Sequence, residues 1–304
     1  MFFVIIKLLR YRMKDIFSKL STEKTNKGLK TDNKTFVQLV DSFVKEERKI
    51  NKILKLNSKK IAKASQLFFD VFSRGGRIFF VGAGTSGRLG ILEAAECPPT
   101  FGTSPKQIQA IIAGGNKAIF NAIEGAEDSK IASRKTLINK KFSSNDLLVG
   151  ISASGKTSYV ISAINYAKKL KSKTIFITCN KQKTKLSDID IVLEVGPEFI
   201  SGSTRLKSGT ITKNVLNIIT TTAMIKAERI FKNMMIDIKP ITEKLRARAI
   251  RNLSFILKID EDKSIKLLRS SKWSIRIAIV MYKKELNYKE AEILSKTISI
   301  KDLF

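Results

Sequence analysis

The residues of this chain best suited to chemistry are hydroxyl-rich glycine loops and two glutamates. The first loop is Gly84-Thr85-Ser86-Gly87-Arg88, within GGRIFFVGAGTSGRLGILEAAECPPTFG (75–102). A β-branched and aromatic run, Arg77–Val81, leads into a glycine turn, Gly82–Gly87, and a helical stretch, Arg88–Glu96, follows. Strand, glycine turn and helix in succession put bare backbone N–H groups and the positive end of a helix dipole before an anion. Thr85 and Ser86 add hydroxyl donors there. The second loop, Ser152-Ala153-Ser154-Gly155-Lys156-Thr157, follows an apolar run and precedes a helical stretch around Tyr159–Leu170. A third, Gly202-Ser203-Thr204-Arg205, precedes a long helical region. One glycine turn is ordinarily only a turn. Two Ser/Gly loops after two strands of one sheet converge on one edge, where hydroxyls and amides can cradle a phosphate. Phosphate or phosphosugar binding is therefore expected of Gly84, Thr85, Ser86, Gly87, Arg88, Ser152, Ser154, Gly155 and Thr157, with Ser203 and Thr204 alongside. No loop has the Walker A pattern, so nucleotide hydrolysis is not indicated.

Glu96 follows Ala94-Ala95 and precedes Cys97-Pro98-Pro99, which is expected to stop the helix. A carboxylate near a helix C-terminus opposes the dipole, a placement that suits a general acid; a surface glutamate is the plain alternative. Glu124-Gly125-Ala126-Glu127-Asp128 crowds three carboxylates into five residues, so one is expected to titrate high; a solvated acidic helix end is the alternative. Lys207 is either an anion contact or a solvated lysine. The chain has no histidine, which excludes His-based triads and the commonest metal ligand. With only Cys97 and Cys179 besides, no metal site is expected, and Cys97 lacks a base to activate it.

The net charge of +30 would fit a nucleic-acid partner. The lysines, however, are spread along the whole chain and no reader motif is present, so no nucleic acid is expected. An evenly basic surface would still draw in an anionic sugar phosphate. Two separated cysteines suit a reducing cytoplasm, where the protein is expected to act. The apolar start Met1–Arg12 is broken by Lys7 and is too short for the ~20 residues of a membrane span. It has no small-residue cleavage site and is expected to be an extension ahead of a start at Met13, with no membrane partner.

Positioning these groups falls to an alternation of strands and helices. Apolar residues at helical spacing over 36–73, from Phe36 to Val71, give leading helices. Strands are expected at Arg77–Val81, Gln109–Ala113, Leu147–Ser152, Thr174–Cys179 and Ile189–Glu194. Continuous apolar runs suit a sheet covered on both faces, and strand–helix alternation a doubly wound parallel sheet with ligands beyond its C-terminal edge. A long helical region is expected over 203–236, capped by Ser203 and Thr204 or by Ser208–Thr210, then helices at 240–258, 262–270, 274–283 and 289–296. The resulting division is an irregular extension (1–35), an α/β domain with leading helices (36–235) and a small helical C-terminal region (236–304).

The chain resembles the N-acetylmuramic acid 6-phosphate etherases, sugar isomerase (SIS) domain proteins related to the glucokinase regulatory protein. The matching segments are GAGTSGRLGILEAAECPPTFGT (82–103), IIAGGNKAI (111–119), EGAEDS (124–129), VGISASGKTSYVI (149–161), VGPEFISGSTRLKSGT (195–210) and MIDIKPITEKLRARA (235–249). The resemblance implies an αβα sandwich, a homodimer and no cofactor. It implies cleavage of the lactyl ether of N-acetylmuramic acid 6-phosphate with water, by elimination across C2–C3 and then hydration. Glu96 would protonate the departing lactate and Glu127 would take the C2 proton. Thr85, Ser86, Ser152, Ser154 and Thr157 would hold the 6-phosphate, with Ser203 and Thr204 nearby. The chain departs from the pattern before Val37, where Thr22-Glu23…Asn26 is only a remnant of the usual start, at Ala227-Glu228-Arg229 and Lys232, and after 285. Two rivals share the domain: a phosphosugar sensor that binds without turnover, and an aldose–ketose isomerase.

Overall fold

A computed structural model describes residues 18–304. The expected extension before Met13 lies outside the described residues. The described residues divide into two compact units. One comprises 18–93 with Gln109–Ile219, the other Ala94–Ile108 with Thr220–Phe304.

The first unit opens with a single 3₁₀ turn, Ser21–Glu23, and two helices, α1 (Phe36–Glu47) and α2 (Lys49–Ser73). Thr35 caps α1 reciprocally with Gln38. Strands β1 (Ile78–Gly82), β2 (Ile108–Ile112), β3 (Leu147–Ile151), β4 (Lys173–Thr178) and β5 (Ile189–Val192) form one sheet in the order β2-β1-β3-β4-β5. The pairs β1–β3, β3–β4 and β4–β5 are parallel. Every residue of β1 and β3 is buried, which explains why both runs are apolar without alternation. The intervening helices are α3 (Gly84–Phe101), α4 (Lys117–Phe120), α5 (Lys130–Asn139) and α6 (Ser158–Lys169), and α7 (Lys207–Lys226) follows β5. Phe79, Val81 and Phe176 pack under Tyr159, Val160, Ala163 and Ile164 of α6 and Leu137 of α5. Gly90 of α3 lies against Phe80 and Ile151. The result is the expected three-layer αβα arrangement around a doubly wound parallel sheet.

Asp146 pins the N-terminal edge of that sheet. It accepts from Arg77 Nε at 3.0 Å and Nη2 at 2.7 Å, and from the amides of Arg77 (3.1 Å) and Ser143 (2.8 Å). Burial would raise its pKa, but the Arg77 guanidinium and these amides hold it below the ordinary carboxylate range.

In the second unit α8 (Glu243–Leu257), α9 (Glu261–Ser270), α10 (Ile275–Lys284) and α11 (Tyr288–Leu294) enclose Leu253, Ile256, Leu268, Ile279 and Ala291. Thr242, Asp260, Ser274 and Asn287 each cap one of these helices. Asp237 joins Arg276 (2.8 Å) and Arg229 (3.1 Å).

Three expectations need correction. The helix after β1 starts at Gly84, not Arg88, so the glycine turn is the first turn of α3. It also runs through Pro98 and Pro99 instead of stopping before them. Each proline removes one backbone donor, but the next turn still closes, with Gly102 N donating to Pro98 O at 3.0 Å. The helical region expected to reach 236 ends at Lys226, where Glu228 turns left-handed (φ 55°) and Arg229 N donates back to Met224 O at 2.9 Å. A hairpin follows, β6 (Ile230–Phe231) with β7 (Met234–Met235), turned by Lys232 and Asn233 at φ 46° and 60°.

Candidate active site

Strand register brings the first two loops together. Gly82, the last residue of β1, pairs with Ile151, the last of β3. Ala83 and Ser152 therefore leave the sheet side by side. In the order 2-1-3-4-5 this is where successive connections diverge to opposite faces, the crevice in which open parallel sheets bind ligands. On one side stands the first turn of α3, whose leading amides have no intrahelical acceptor. Gly87 is required there for space, since a Cβ would lie 2.5 Å from Ile112 Cγ1.

On the other side the Ser152–Thr157 loop folds on its own hydroxyls. Ser152 Oγ lies 2.8 Å from Thr157 Oγ1 and 3.4 Å from Ser154 Oγ, and accepts from Gly155 N at 3.1 Å. Lys156 N donates to Ser154 Oγ at 3.1 Å. Gly155 has φ 71°, with Gln182 where a Cβ would sit. Thr157 occupies the N-cap of α6 but its side chain does not bond the helix amides. Its hydroxyl belongs to the loop.

The third loop meets the first through α7. A Cβ at Gly209 would lie 3.6 Å from Thr204 O and 3.7 Å from Thr85 Cγ2. The capping expectation for α7 is corrected here. Glu198, fully buried, accepts from Lys207 N (3.0 Å), Ser208 N (2.9 Å) and Ser208 Oγ (2.6 Å). The α7 dipole is thus already answered by a carboxylate. Ser203 N and Thr204 N are engaged with Ile200 O and Gly202 O, both at 3.0 Å. This loop offers hydroxyls, not a helix terminus. Lys207 is not a solvated lysine, and the anion it meets is internal: only 2% exposed, its Nζ donates to the Glu46 carboxylate at Oε2 and to Pro197 O, both at 2.8 Å. Nothing in its local sequence pointed to a partner 161 positions away. Burial opposes ionisation of Glu46, but Lys207 and Lys49 outweigh it and hold its pKa below the ordinary value.

Glu127 lies in a 3₁₀ turn, Ala126–Asp128, entered through left-handed Gly125 (φ 73°). This turn packs against α6, the helix that follows the Ser152–Thr157 loop. The Glu127 pKa is raised, first by partial burial of its carboxyl and then by the charges of Asp128 and Glu124. Arg88, expected at the anion, donates Nε to Ile119 O (2.8 Å) and Nη2 to Asn121 O (2.9 Å). It ties α3 to the segment that leads to Glu127. Glu96 is exposed on α3. One turn earlier lies a carboxylate missed in the sequence: Glu93, 6% exposed, accepts from Asn217 Nδ2.

Two family models place this αβα region among the SIS domains. The family model of the glucokinase regulatory protein N-terminal SIS domain matches residues 60–168, and that of the SIS domain 124–231. An N-acetylmuramic acid 6-phosphate etherase of Clostridioides difficile is 42% identical over 276 residues, 90% of this chain and 91% of that protein. One from Alkaliphilus metalliredigens is 47% identical over 73% of each chain. The solved structure of a phosphoheptose isomerase from Neisseria gonorrhoeae, 21% identical, covers 64% of this chain and 100% of its own, with a TM-score of 0.46. The chain belongs to the N-acetylmuramic acid 6-phosphate etherase family.

Proposed function

We propose that this protein cleaves the D-lactyl ether of N-acetylmuramic acid 6-phosphate with water, giving N-acetylglucosamine 6-phosphate and D-lactate. It would act as a carbon–oxygen lyase in the cytoplasm, in amino-sugar catabolism. The observation that carries the reading is the Gly82–Ile151 register, which sets two hydroxyl-bearing loops at one switch point in a chain of this family. Thr85, Ser86, Ser152, Ser154 and Thr157 hold the 6-phosphate, with the hydroxyls of Ser203 and Thr204 beside them, open space at Gly84 for close approach, and Gly87 and Gly155 letting the two loops pack against Ile112 and Gln182.

In the open-chain sugar the C2 proton is activated by the aldehyde but still weakly acidic, so a positioned base is needed. Glu127 takes that proton, and its raised pKa makes it a stronger base than an ordinary carboxylate. The lactate alkoxide is a poor leaving group. Glu96 protonates its oxygen as the C3–O bond breaks, leaving a C2–C3 double bond. Glu96, now ionised, takes a proton from water as the hydroxyl adds at C3, and Glu127 returns its proton to C2, so both glutamates regain their starting states. Arg88 positions Glu127 through the 119–121 carbonyls.

We further propose a homodimer. α1 buries no residue, and Phe36, Val37, Val40 and Val44 stand 88%, 71%, 60% and 47% exposed on it, an apolar row that a second copy would cover.

The test is incubation with N-acetylmuramic acid 6-phosphate and assay of D-lactate, for the wild type, Glu96→Ala and Glu127→Ala. Lactate release by the wild type and its loss in both variants is expected. Full release by both variants would overturn the catalytic assignment. A ketose product would indicate an isomerase, and binding without turnover a sensor.

A further inference from the structure

Two sides of the phosphate cradle are closed by the fold: loops one and two by strand register, loops one and three by Gly209. The third side, between the Ser152–Thr157 and Gly202–Thr204 loops, is closed by neither strand nor helix. It is closed by residues Ser21 and Thr22 of the extension that the sequence left irregular. Thr22 is fully buried, and Asn180, just past β4, is 1% exposed. Asn180 Oδ1 accepts from Ser21 N (2.8 Å), Ser21 Oγ (2.9 Å) and Thr22 N (3.4 Å). Its Nδ2 donates to Thr22 Oγ1 (2.9 Å) and to Ala153 O (3.0 Å). Thr22 O in turn accepts from Gly202 N at 3.0 Å. The Glu23 carboxylate lies over Gly202, 2.7 Å from where a Cβ would be.

We infer that Thr22 and Asn180 are positioning residues for the phosphate loops, the extension acting as a strap that fixes the Ala153–Ser154 peptide and the Gly202 turn in their anion-binding geometry. The inference rests on the phosphate reading given above. Its physical basis is the planarity of the peptide. Ala153 O is held inward by Asn180 Nδ2, Cys179 N (3.0 Å) and Thr178 Oγ1 (3.3 Å). Across a trans peptide the Ser154 N–H points the opposite way, toward the open side of the loop. Asn180 can hold Ala153 O only while its own amide is oriented. A carboxamide is oriented by the partners at both its ends, which are Ser21 and Thr22. The same Thr22 fixes Gly202, and with it the turn that presents the Ser203 and Thr204 hydroxyls. Without the Thr22 hydroxyl one buried Asn180 donor is unpaired, and the amide is free to swing away from Ala153.

The experiment is steady-state kinetics on the full chain with N-acetylmuramic acid 6-phosphate, plus inhibition by inorganic phosphate. The variants are Thr22→Val, Thr22→Ser and Ser154→Ala. For Thr22→Val, KM and the phosphate inhibition constant are expected to rise about tenfold, with kcat changed less than about twofold; Thr22→Ser restores both constants. A lowered melting temperature with both constants unchanged would make Thr22 merely structural and overturn the inference. If Ser154→Ala weakens phosphate inhibition but Thr22→Val does not, the strap proposal fails while the phosphate site stands. If neither variant alters KM or phosphate inhibition, the phosphate reading fails and the strap with it. Should Thr22→Val not fold, the wild type supplies a second measurement. Coupling between sites is reciprocal, so saturating phosphate must slow amide hydrogen exchange at Thr22 and Gly202. Unchanged exchange there would overturn the inference.

Discussion

At the scale of single residues, function and stability pull apart at Glu127. Its ionised form is disfavoured by partial burial and by two neighbouring carboxylates. A carboxyl with a raised folded pKa contributes stability below its unfolded value and loses it as pH rises through the folded one. At neutral pH the charge on Glu127 is therefore a small burden to the fold, small because the residue is exposed and solvent screens it. Glu127→Gln is expected to lose about a hundredfold or more in kcat yet to melt no lower than the wild type at pH 7. As a base the residue must be deprotonated, so the acid limb of kcat/KM should fall above the ordinary value of 4.5; Asp128→Asn, which removes one like charge, should shift that limb downward. A pH–rate profile of both proteins checks this. A raised pKa in this segment was legible because three carboxylates so close in sequence repel one another; that it falls on Glu127 was not, and only the family resemblance singled that residue out. Glu93 and Lys207 were not legible, since their partners Asn217 and Glu46 come from distant elements.

Elements are held by carboxylates at their ends. Asp146→Ala takes the counter-charge from Arg77 and leaves its Nε and two amides without their acceptor, though Nη1 and Nη2 keep the carbonyls of Lys140 and Lys141, and should cost about 3 kcal/mol in denaturant melts. Glu198→Ala uncaps α7 and strands Ser208 Oγ, with a loss of similar size, about 3 kcal/mol. Asp146 and Glu46 both have lowered pKa values in the folded state. Their contributions are complete above the unfolded values of 3.8 and 4.5 and disappear as pH falls through the folded ones, so stability should drop on acidification below about pH 4.5. Lys207→Met should flatten part of that drop. Element types were readable from apolar runs, and every strand of the sheet falls within two residues of its expected bounds. Helix ends were harder to read. Pro98-Pro99 looked like a stop, yet α3 continues to Phe101. The end of α7 is set by a left-handed glutamate, a position that carries no glycine to announce it.

For the molecule as a whole, the charge of +30 bears on encounter with an anionic sugar. If the basic surface steers a phosphorylated, carboxylate-bearing substrate, kcat/KM should fall several-fold between low salt and about 0.5 M, where screening shortens to a few ångströms, with kcat unaltered. If the proposed dimer forms through α1, Val40→Lys should raise the concentration at which it dissociates in sedimentation runs, because it sets a charge in the exposed row of that helix. The thiols extend the account to motion. Cys97 lies in one unit and Cys179 in the other, both buried, and burial pushes the Cys179 pKa up to about 11. Neither sulfur can meet a labelling reagent until its surroundings part. For Cys179 that means lifting the first turns of α7, where Ser208 O and Thr212 Oγ1 flank it. The chain therefore carries a separate chemical clock in each half. The rate at which a thiol reagent traps Cys179 in Cys97→Ser, and Cys97 in Cys179→Ser, would time how often each half breathes open, with the chain's own sulfurs as reporters.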